Sequence, residues 1–257
     1  MNGAFYVGTT GLQAQQRGLE VIANNVANIN TSAFKRSEIR FSELVMRSSV
    51  RTDIEPSVVA LPDVLSGVEA RVAPRIYEQG DLRQTGKPFD LAISGDGFVE
   101  VLGPGGQVWL WRGGGFQVGA DGLLQTESGM TLKALVEVPE DAGGIRIERD
   151  GRVLVQIAGE EDPTAIGSIS IAMPEDIGNL EAVGQGYFRT TDEHQLKIYE
   201  PGEQGKGIFV QGSIEASNVD LSSEMVTLLL MQRAYGANAQ IVQAGDQLMA
   251  IANGLRR

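Results

Sequence analysis

Histidine and cysteine, two residue types that carry much enzyme chemistry, are almost absent from this chain of 257 residues. It has a single histidine, His194, and no cysteine, which excludes multi-histidine metal sites, thiolate metal sites and histidine-paired nucleophiles. The Glu-Glu-Asp run at residues 160–162 offers carboxylates to Ca²⁺, but such a run is more often a solvated loop. A two-carboxylate glycosidase remains open on residue types alone, although no pair stands out. We therefore predict no catalytic, metal-binding or cofactor-binding residues.

Charge and hydropathy narrow the classes of partner. The formal net charge is −12, and residues 1–51 hold six basic and three acidic residues, so the rest of the chain is strongly acidic. An acidic body does not suit nucleic acid, whose binding requires a basic surface. No run approaches the roughly 18 apolar residues of a membrane span, and residues 1–16 lack the charged and apolar regions of a signal peptide. We expect a protein that does not span a membrane, located in the cytosol or exported without a cleaved signal.

The first predicted element of secondary structure is an N-terminal helix. Four apolar residues recur at seven-residue intervals, namely Phe5, Leu12, Leu19 and Val26, and Ile22 broadens this stripe. The spacing keeps one face apolar along a helix of about 25 residues. Glycines at positions 3, 8, 11 and 18 permit close approach of another backbone, but each lowers helix propensity by about 1 kcal/mol. We expect this helix to be ordered by packing.

Asparagine is concentrated where this helix should end, at Asn24, Asn25, Asn28 and Asn30. Asparagine side chains compete for backbone hydrogen bonds, so one interpretation is a helix terminus with Asx turns. The other is that the amides pair between subunits and set their register, as a polar residue does in a coiled-coil seam.

A second helical stretch follows at residues 218–255. Its seven-residue series is Leu221, Leu228, Tyr235, Val242 and Met249, and an adjacent apolar row includes Ile241 and Leu248. Asp220 is a candidate N-terminal cap and Gly254 a candidate stop. The two terminal helices could pair antiparallel within one chain or join a bundle with neighbouring chains, and periodicity does not separate these arrangements.

The middle of the chain has the short alternating runs and glycine-rich turns of an all-β domain. The predicted strands are at 89–93, 98–101, 108–111, 145–147, 153–157, 169–171, 196–199 and 208–210. The predicted fold class is mixed, with N- and C-terminal α-helices forming a coiled-coil-like helical domain and a central all-β irregular barrel or sandwich. The predicted boundaries are 1–46 plus 215–257 for the helical assembly domain, 47–69 for an extended insert packing on neighbours, and 70–214 for the β-rich domain.

Sequence signatures at both ends resemble those of bacterial flagellar rod and hook proteins. Ile-Ala-Asn-Asn-Val-Ala-Asn at 22–28, followed by Thr-Ser-Ala-Phe-Lys at 31–35, resembles the N-terminal signature. Glu-Ala-Ser-Asn-Val-Asp at 215–220, followed by Gln-Arg-Ala-Tyr at 232–235, resembles the C-terminal one. The chain departs from the family at Ala33, where glycine is usual, and at Gly236, where glutamate is usual. Trp109 and Trp111 replace the more usual Tyr-Thr, and we expect them in the core rather than at a subunit interface.

The resemblance implies a structural, non-enzymatic subunit of the flagellar basal-body rod that polymerises helically into the shaft transmitting torque to the hook. Residues 11–16, 24–28 and the insert favour the distal rod over a proximal rod or hook subunit. The implied partners are further copies of the chain, proximal rod proteins, the hook protein, the P-ring and L-ring proteins and the flagellar type III export apparatus. The implied location is the basal body from periplasm to outer membrane. The competing class is a carbohydrate-binding or hydrolytic β-domain with an oligomerising helical stem.

The helical stripes and the two signatures together give a set of expected subunit-interface residues. They are Phe5, Leu12, Leu19, Ile22, Asn24, Asn25, Val26, Asn28, Phe34, Asn218, Leu221, Leu228, Gln232, Arg233, Tyr235, Val242 and Met249.

Overall fold

The computed structural model describes residues 2–46, 64–74, 78–157, 162–176, 178, 180–190 and 196–254. Among these residues the α-helices are α1 (Asn2–Ala27) and α2 (Leu221–Gly254). The strands are β1 (Ser37–Met46), β2 (Val64–Pro74), β3 (Leu82–Gln84), β4 (Asp90–Ser94), β5 (Val99–Leu102), β6 (Val108–Trp111), β7 (Gly113–Val118), β8 (Leu124–Thr126), β9 (Ala142–Ile147), β10 (Arg152–Ile157), β11 (Thr164–Ser168), β12 (Ile171–Pro174), β13 (Leu180–Gly184), β14 (Tyr187–Thr190), β15 (Leu196–Tyr199), β16 (Ile208–Gln211) and β17 (Ser213–Glu215).

The chain divides into two compact units. The helical unit consists of Met1–Ala27, Ser37–Ala73 and Asp220–Arg257, and the β unit consists of Asn28–Arg36 and Pro74–Val219. The predicted helical segment 1–46 is therefore helical only as far as Ala27, and its last ten residues form β1, which pairs with β2. Of the predicted insert 47–69, residues 47–63 lie outside the described residues, and the remainder belongs to β2.

The helical unit contains an antiparallel pair formed by α1 and α2. A Cβ atom added at Gly8 would lie 2.7 Å from Val242, and one added at Gly18 would lie 3.3 Å from Met231. As the residue number rises along α1 it therefore falls along α2. Glycine allows this approach because no side chain stands between the backbones. Of the arrangements that periodicity left open, the antiparallel pair within one chain is present, and packing against neighbouring chains stays a prediction.

The face of α1 that meets α2 is the glycine face. Ile22 is buried beside this face, whereas Leu12, Leu19 and Val26 lie on its flank and are only half-buried. The N-terminus of α2 is capped as expected, because Asp220 accepts hydrogen bonds from the N–H groups of Ser222 and Ser223 at 3.1 and 3.3 Å.

The β unit is made of small antiparallel sheets. Their strand orders are β16-β4-β7-β8, β13-β14-β6-β5, β11-β10-β9, β12-β15 and β17-β3. None of the sheets among the described residues closes into a barrel, so the fold is β-rich as predicted but is a set of packed open sheets. The predicted strands 108–111 and 196–199 coincide with β6 and β15.

The largest apolar core of the β unit lies around β4. Leu91 and Ile93 of this strand are fully buried, together with Val101, Val153 and Phe209 from other strands. Trp111 is buried in the same core, 4.8 Å from Phe116 and 6.4 Å from Tyr187 between ring centroids. The expectation that Trp111 belongs to the core is confirmed.

The close approach of α1 and α2 predicts that alanine substitutions at two helical glycines, one facing the other helix and one not, change the free energy of unfolding in opposite directions. Gly8→Ala gains about 1 kcal/mol of helix propensity, but its methyl group overlaps Val242, and such overpacking costs about 1–3 kcal/mol. We expect it to lower the free energy of unfolding, measured by urea titration with far-UV circular dichroism. Gly236→Ala is the control: with no neighbouring atom within 4 Å, it should raise that free energy by about 1 kcal/mol. Equal gains would show that the two helices do not pack on the glycine face.

Candidate functional site

The two signature segments meet at one buried carboxylate in the β unit. Glu215, at the end of β17, is 1% exposed. Its Oε1 accepts hydrogen bonds from Lys35 Nζ at 2.5 Å and from the Gly80 N–H at 2.9 Å. Its Oε2 accepts one from Arg112 Nε at 2.8 Å. The site therefore joins Lys35 of the N-terminal signature to Glu215 of the C-terminal signature through a direct ion pair, and Arg112 forms a second ion pair with the same carboxylate.

The backbone around Glu215 is shaped for this arrangement. Ala33 adopts a left-handed conformation with φ 54°, and its N–H donates to the Glu215 carbonyl at 2.8 Å, which brings Lys35 into place. This conformation explains why glycine is usual at Ala33 in the family that the sequence resembles, because only glycine adopts it without cost. At Gly80, an added Cβ atom would lie 2.0 Å from the Ala216 carbonyl oxygen, so the chain can pass there only without a side chain.

The electrostatics of the cluster balance one anion against two cations. Arg112 also donates to the carbonyl oxygens of Gly95 and Gly97, and Lys35 donates to that of Glu78 at 2.7 Å. Burial lowers the pKa of Lys35, and the charge of Glu215 acts in the opposite direction. Both cations that bind the carboxylate are thus held in place by further hydrogen bonds to backbone carbonyl groups, as a buried network requires.

Asn218 of the C-terminal signature also bonds to the N-terminal signature. Its Oδ1 accepts from the Arg36 N–H at 2.7 Å, and its Nδ2 donates to the Glu78 carbonyl at 3.0 Å. Its own N–H donates to the carbonyl of Phe34, whose side chain is half-buried. These side-chain groups of Asn218 are engaged within the chain, which gives this residue a folding role in addition to any role between subunits.

A second polar cluster lies in the helical unit around Asn25. This side chain is 1% exposed; its amide exchanges two hydrogen bonds of 2.9 Å with the backbone of Ser37 and donates to Glu224 at 3.2 Å. Glu224 belongs to the first turn of α2 and is buried. The Asn25 amide therefore ties α1 to α2 and to β1 inside one chain, and that contact sets the register of the helical pair.

The remaining expected interface residues are spread over several environments. Asn24, Leu221, Gln232, Arg233 and Tyr235 are exposed, whereas Asn28, Leu228, Val242 and Met249 are half-buried. The side chain of Phe5 lies outside the described residues.

An exposed apolar surface on α2 was largely missed by the sequence analysis. We call it the outer stripe, and its members are Val226, Leu230, Ala237, Ile241, Ala244, Leu248 and Ile251. Its five large side chains are between 56% and 63% exposed. Ile241 and Leu248 were recognised as part of an apolar row, but the seven-residue series Leu230, Ala237, Ala244 and Ile251 would have revealed the whole stripe.

Features that would support an enzyme are weak in the described residues. A cleft of about 550 Å³ in the β unit contains the carboxylates of Asp90 and Glu127, but Asp90 already accepts a 2.5 Å hydrogen bond from Thr85. No three His, Cys, Asp or Glu side chains of the described ranges come together as a metal site. The acidic run at 160–162 and His194 fall wholly or mainly outside those ranges. Neither described helix has both the length and the hydropathy needed to cross a membrane.

Comparison with known proteins gives one consistent family. Three family models match: "Flagella basal body rod protein" at residues 5–35, "Flagellar hook protein FlgE/F/G D1 domain" at 92–155, and "Flagellar basal body rod FlgEFG protein C-terminal" at 210–255. The chain is 36% identical to the flagellar basal-body rod protein FlgG of Caulobacter vibrioides, over 98% of this chain and 99% of that protein. It is 34% identical to FlgG of Buchnera aphidicola subsp. Schizaphis graminum, over 96% of each. It is 31% identical to the rod protein FlgF of Caulobacter vibrioides, over 96% and 95%.

The buried ion cluster predicts a large loss of stability for Glu215→Gln. The substitution leaves the charges of Lys35 and Arg112 buried without their carboxylate, and removing one partner of a buried ion pair costs about 3–5 kcal/mol. Chemical denaturation followed by Trp fluorescence measures the loss. The matched control is Glu181→Gln, which breaks the exposed pair with Arg189 and should change stability by less than about 1 kcal/mol. A loss of stability no larger than that of the control would show that the Glu215 cluster contributes little to the free energy of unfolding.

The Asn25 cluster predicts a pH-dependent defect in Asn25→Asp. The new carboxylate lies beside Glu224 and lacks the amide donors, so the two carboxylates share protons and their pKa values are raised in the folded state. The folded variant then binds more protons than the unfolded chain, so its stability rises as pH falls from 7 towards 5. Thermal melts at several pH values test this. Asn24→Asp, at an exposed position of the same helix, should show no such recovery at acidic pH.

Proposed function

Because the chain belongs to the family of flagellar basal-body rod proteins, we propose that it is a structural subunit of the distal rod and polymerises helically with copies of itself. The observation that carries this proposal is the outer stripe of α2. Large apolar side chains that remain more than half exposed along one face of a long helix mark an interaction surface.

The composition of α2 supports assembly through this helix. Its 34 residues include only three charged ones, Glu224, Arg233 and Asp246. One side of α2 packs on α1 within the chain, and the outer stripe lies on another side. A helix that is apolar on more than one side is normally buried on more than one side. A polymer of the chain supplies the missing cover, and the packing of terminal helices from several copies would then be coiled-coil-like.

The position in the rod follows from the relatives. Within Caulobacter vibrioides, FlgG is 36% identical to this chain and FlgF is 31% identical. The greater similarity to FlgG, over a larger share of the chain, supports the distal position. The second candidate is a proximal rod or hook subunit of the same family, since the chain is also similar to a rod protein other than FlgG.

The proposed setting is the basal body between periplasm and outer membrane. In this setting the polymer passes motor torque to the hook and contacts proximal rod proteins, the hook protein and the P-ring and L-ring proteins. Delivery by the flagellar type III export apparatus, without a cleaved signal, completes the proposal. The expected interface residues and the packing of segment 47–69 on neighbouring copies are part of it. No catalytic role is included, since the family descriptions name rod and hook proteins.

A charge placed on the outer stripe tests the proposal. Leu248 is 63% exposed, so Leu248→Asp should leave the folded monomer intact, and its helix content and melting temperature should not change. In a polymer the same carboxylate would be buried without a partner, which costs several kcal/mol. We expect wild-type protein at high concentration to form filaments in negative-stain electron micrographs and Leu248→Asp protein to form none.

The control is Gln247→Asp, a change of the neighbouring exposed residue, which lies off the outer stripe. It adds the same charge to the same helical turn and should allow filaments. Filaments of normal length from Leu248→Asp protein would show that the outer stripe is not buried in the polymer. Absence of filaments from the wild-type protein under all conditions would remove the support for self-assembly.

A further inference from the structure

We propose that the outer stripe of α2 binds the flank of α1 in the next copy of the chain, with the two helices antiparallel. The flank is the series Leu12, Leu19 and Val26, and the outer-stripe series that it meets is Leu230, Ala237 and Ala244. The inference rests on the proposed polymerisation and names the two surfaces that make one contact in it.

The two surfaces repeat at the same interval. Residues of both series are seven positions apart, so two helices packed side by side keep their contacts in phase. The series on α1 covers 14 residues, which is about 21 Å of helix at 1.5 Å per residue. The series from 230 to 244 has the same length. No charged residue belongs to either series.

The side chains of the two series are complementary in size. In the antiparallel alignment Leu12 meets Ala244 and Leu19 meets Ala237. A large residue then faces a small one at two of the three positions, which is how helices interdigitate without voids or overlap, and Val26 meets Leu230 at the third.

A single chain cannot make this contact. Inside the chain α1 faces Met231 and Val242, and its own leucine flank stays half-buried. Leu230 and Ala237 each lie one residue before a residue that faces the glycines of α1, namely Met231 and Asn238, and one residue is about 100° around the helix. The exposed alanines therefore point away from the chain's own α1, and the α1 that meets them belongs to another copy.

The contact joins two different surfaces and leaves both available at the ends of any oligomer. Such a heterologous contact does not form a symmetric dimer, and it repeats to give an open filament when the rotation between copies does not close into a ring. If successive copies are related by rotation about, and translation along, an axis parallel to the helices, α1 of one copy and α2 of the next run antiparallel, as they do within the chain. The intramolecular geometry thus fixes the direction of the intermolecular pair.

Engineered disulfides test the alignment, and the natural absence of cysteine leaves no competing thiol. Leu19→Cys combined with Ala237→Cys should, on oxidation of assembled protein, give a ladder of covalent dimers, trimers and higher species. Leu19→Cys combined with Ala244→Cys should not, because two turns of helix, about 10 Å, separate positions 237 and 244 and a disulfide needs Cα atoms within about 7 Å. Leu19→Cys combined with Gln243→Cys controls for random collision on an exposed face.

A size exchange tests the same contact without oxidation. Ala237→Leu adds bulk at a position exposed in the monomer, so monomer folding should be unchanged, while overpacking at the contact should weaken association about tenfold or more. Leu19→Ala in the same chain makes room for the new leucine and should restore sedimentable polymer. Restoration by this partner, and not by Val21→Ala, identifies position 19 as the neighbour of position 237.

Each outcome of these experiments supports or overturns the proposed contact, and one outcome also overturns the proposed function. A ladder from 19/237 with rescue by Leu19→Ala supports the contact. Filaments without a 19/237 ladder overturn the contact and leave the proposed function standing. A ladder from 19/244 overturns the antiparallel alignment, and dimers without higher species overturn the heterologous arrangement. Absence of filaments from the wild-type protein, together with absence of cross-links from all the cysteine variants, overturns both the contact and the proposed function.

Discussion

A carboxylate withdrawn from water must be matched by cations and N–H donors, and the β unit is organised around one such group. Glu215 collects Lys35, Arg112 and the Gly80 N–H, which come from three separate parts of the chain. The cost of burying any one of these charges alone is larger than most single contacts contribute, so the segments order together. The loop at Asn28–Arg36 is part of the β unit for this reason, although the residues on both sides of it belong to the helical unit.

The helical unit depends on a different constraint, the missing side chains of α1. Gly8 and Gly18 let α2 approach until its own side chains touch the α1 backbone, and Asn25 fixes the register through Ser37 and Glu224. This close packing uses only one side of α2. The helix carries few charges elsewhere, so the outer stripe stays apolar and uncovered, which makes the monomer a component with a free binding surface.

Structural features that depend on local residue spacing could be predicted from the sequence, whereas features that depend on contacts between distant residues could not. The seven-residue spacings predicted both helices, and alternation bounded by glycine turns placed β6 and β15 at their observed limits. Strands β1 and β2 were not predicted, because a two-stranded sheet is stabilised by the partner strand and by α1 rather than by its own pattern. Glu215, Lys35 and Asn218 were recognised only as members of the two signatures, and the sequence did not indicate what each of these side chains binds.

The sequence by itself determined that the chain has two long helices, a β-rich middle and the signatures of the rod and hook family, because these depend on residue spacing along the chain. Only the tertiary structure decided which side of each helix is covered. Periodicity shows that a helix has an apolar face but not which partner meets it, and the heptad residues Leu12 and Leu19 proved to flank a contact made by glycines. It also decided that Asn25 and Asn218 bond within the chain, since a hydrogen bond depends on distance and angle between residues far apart in sequence.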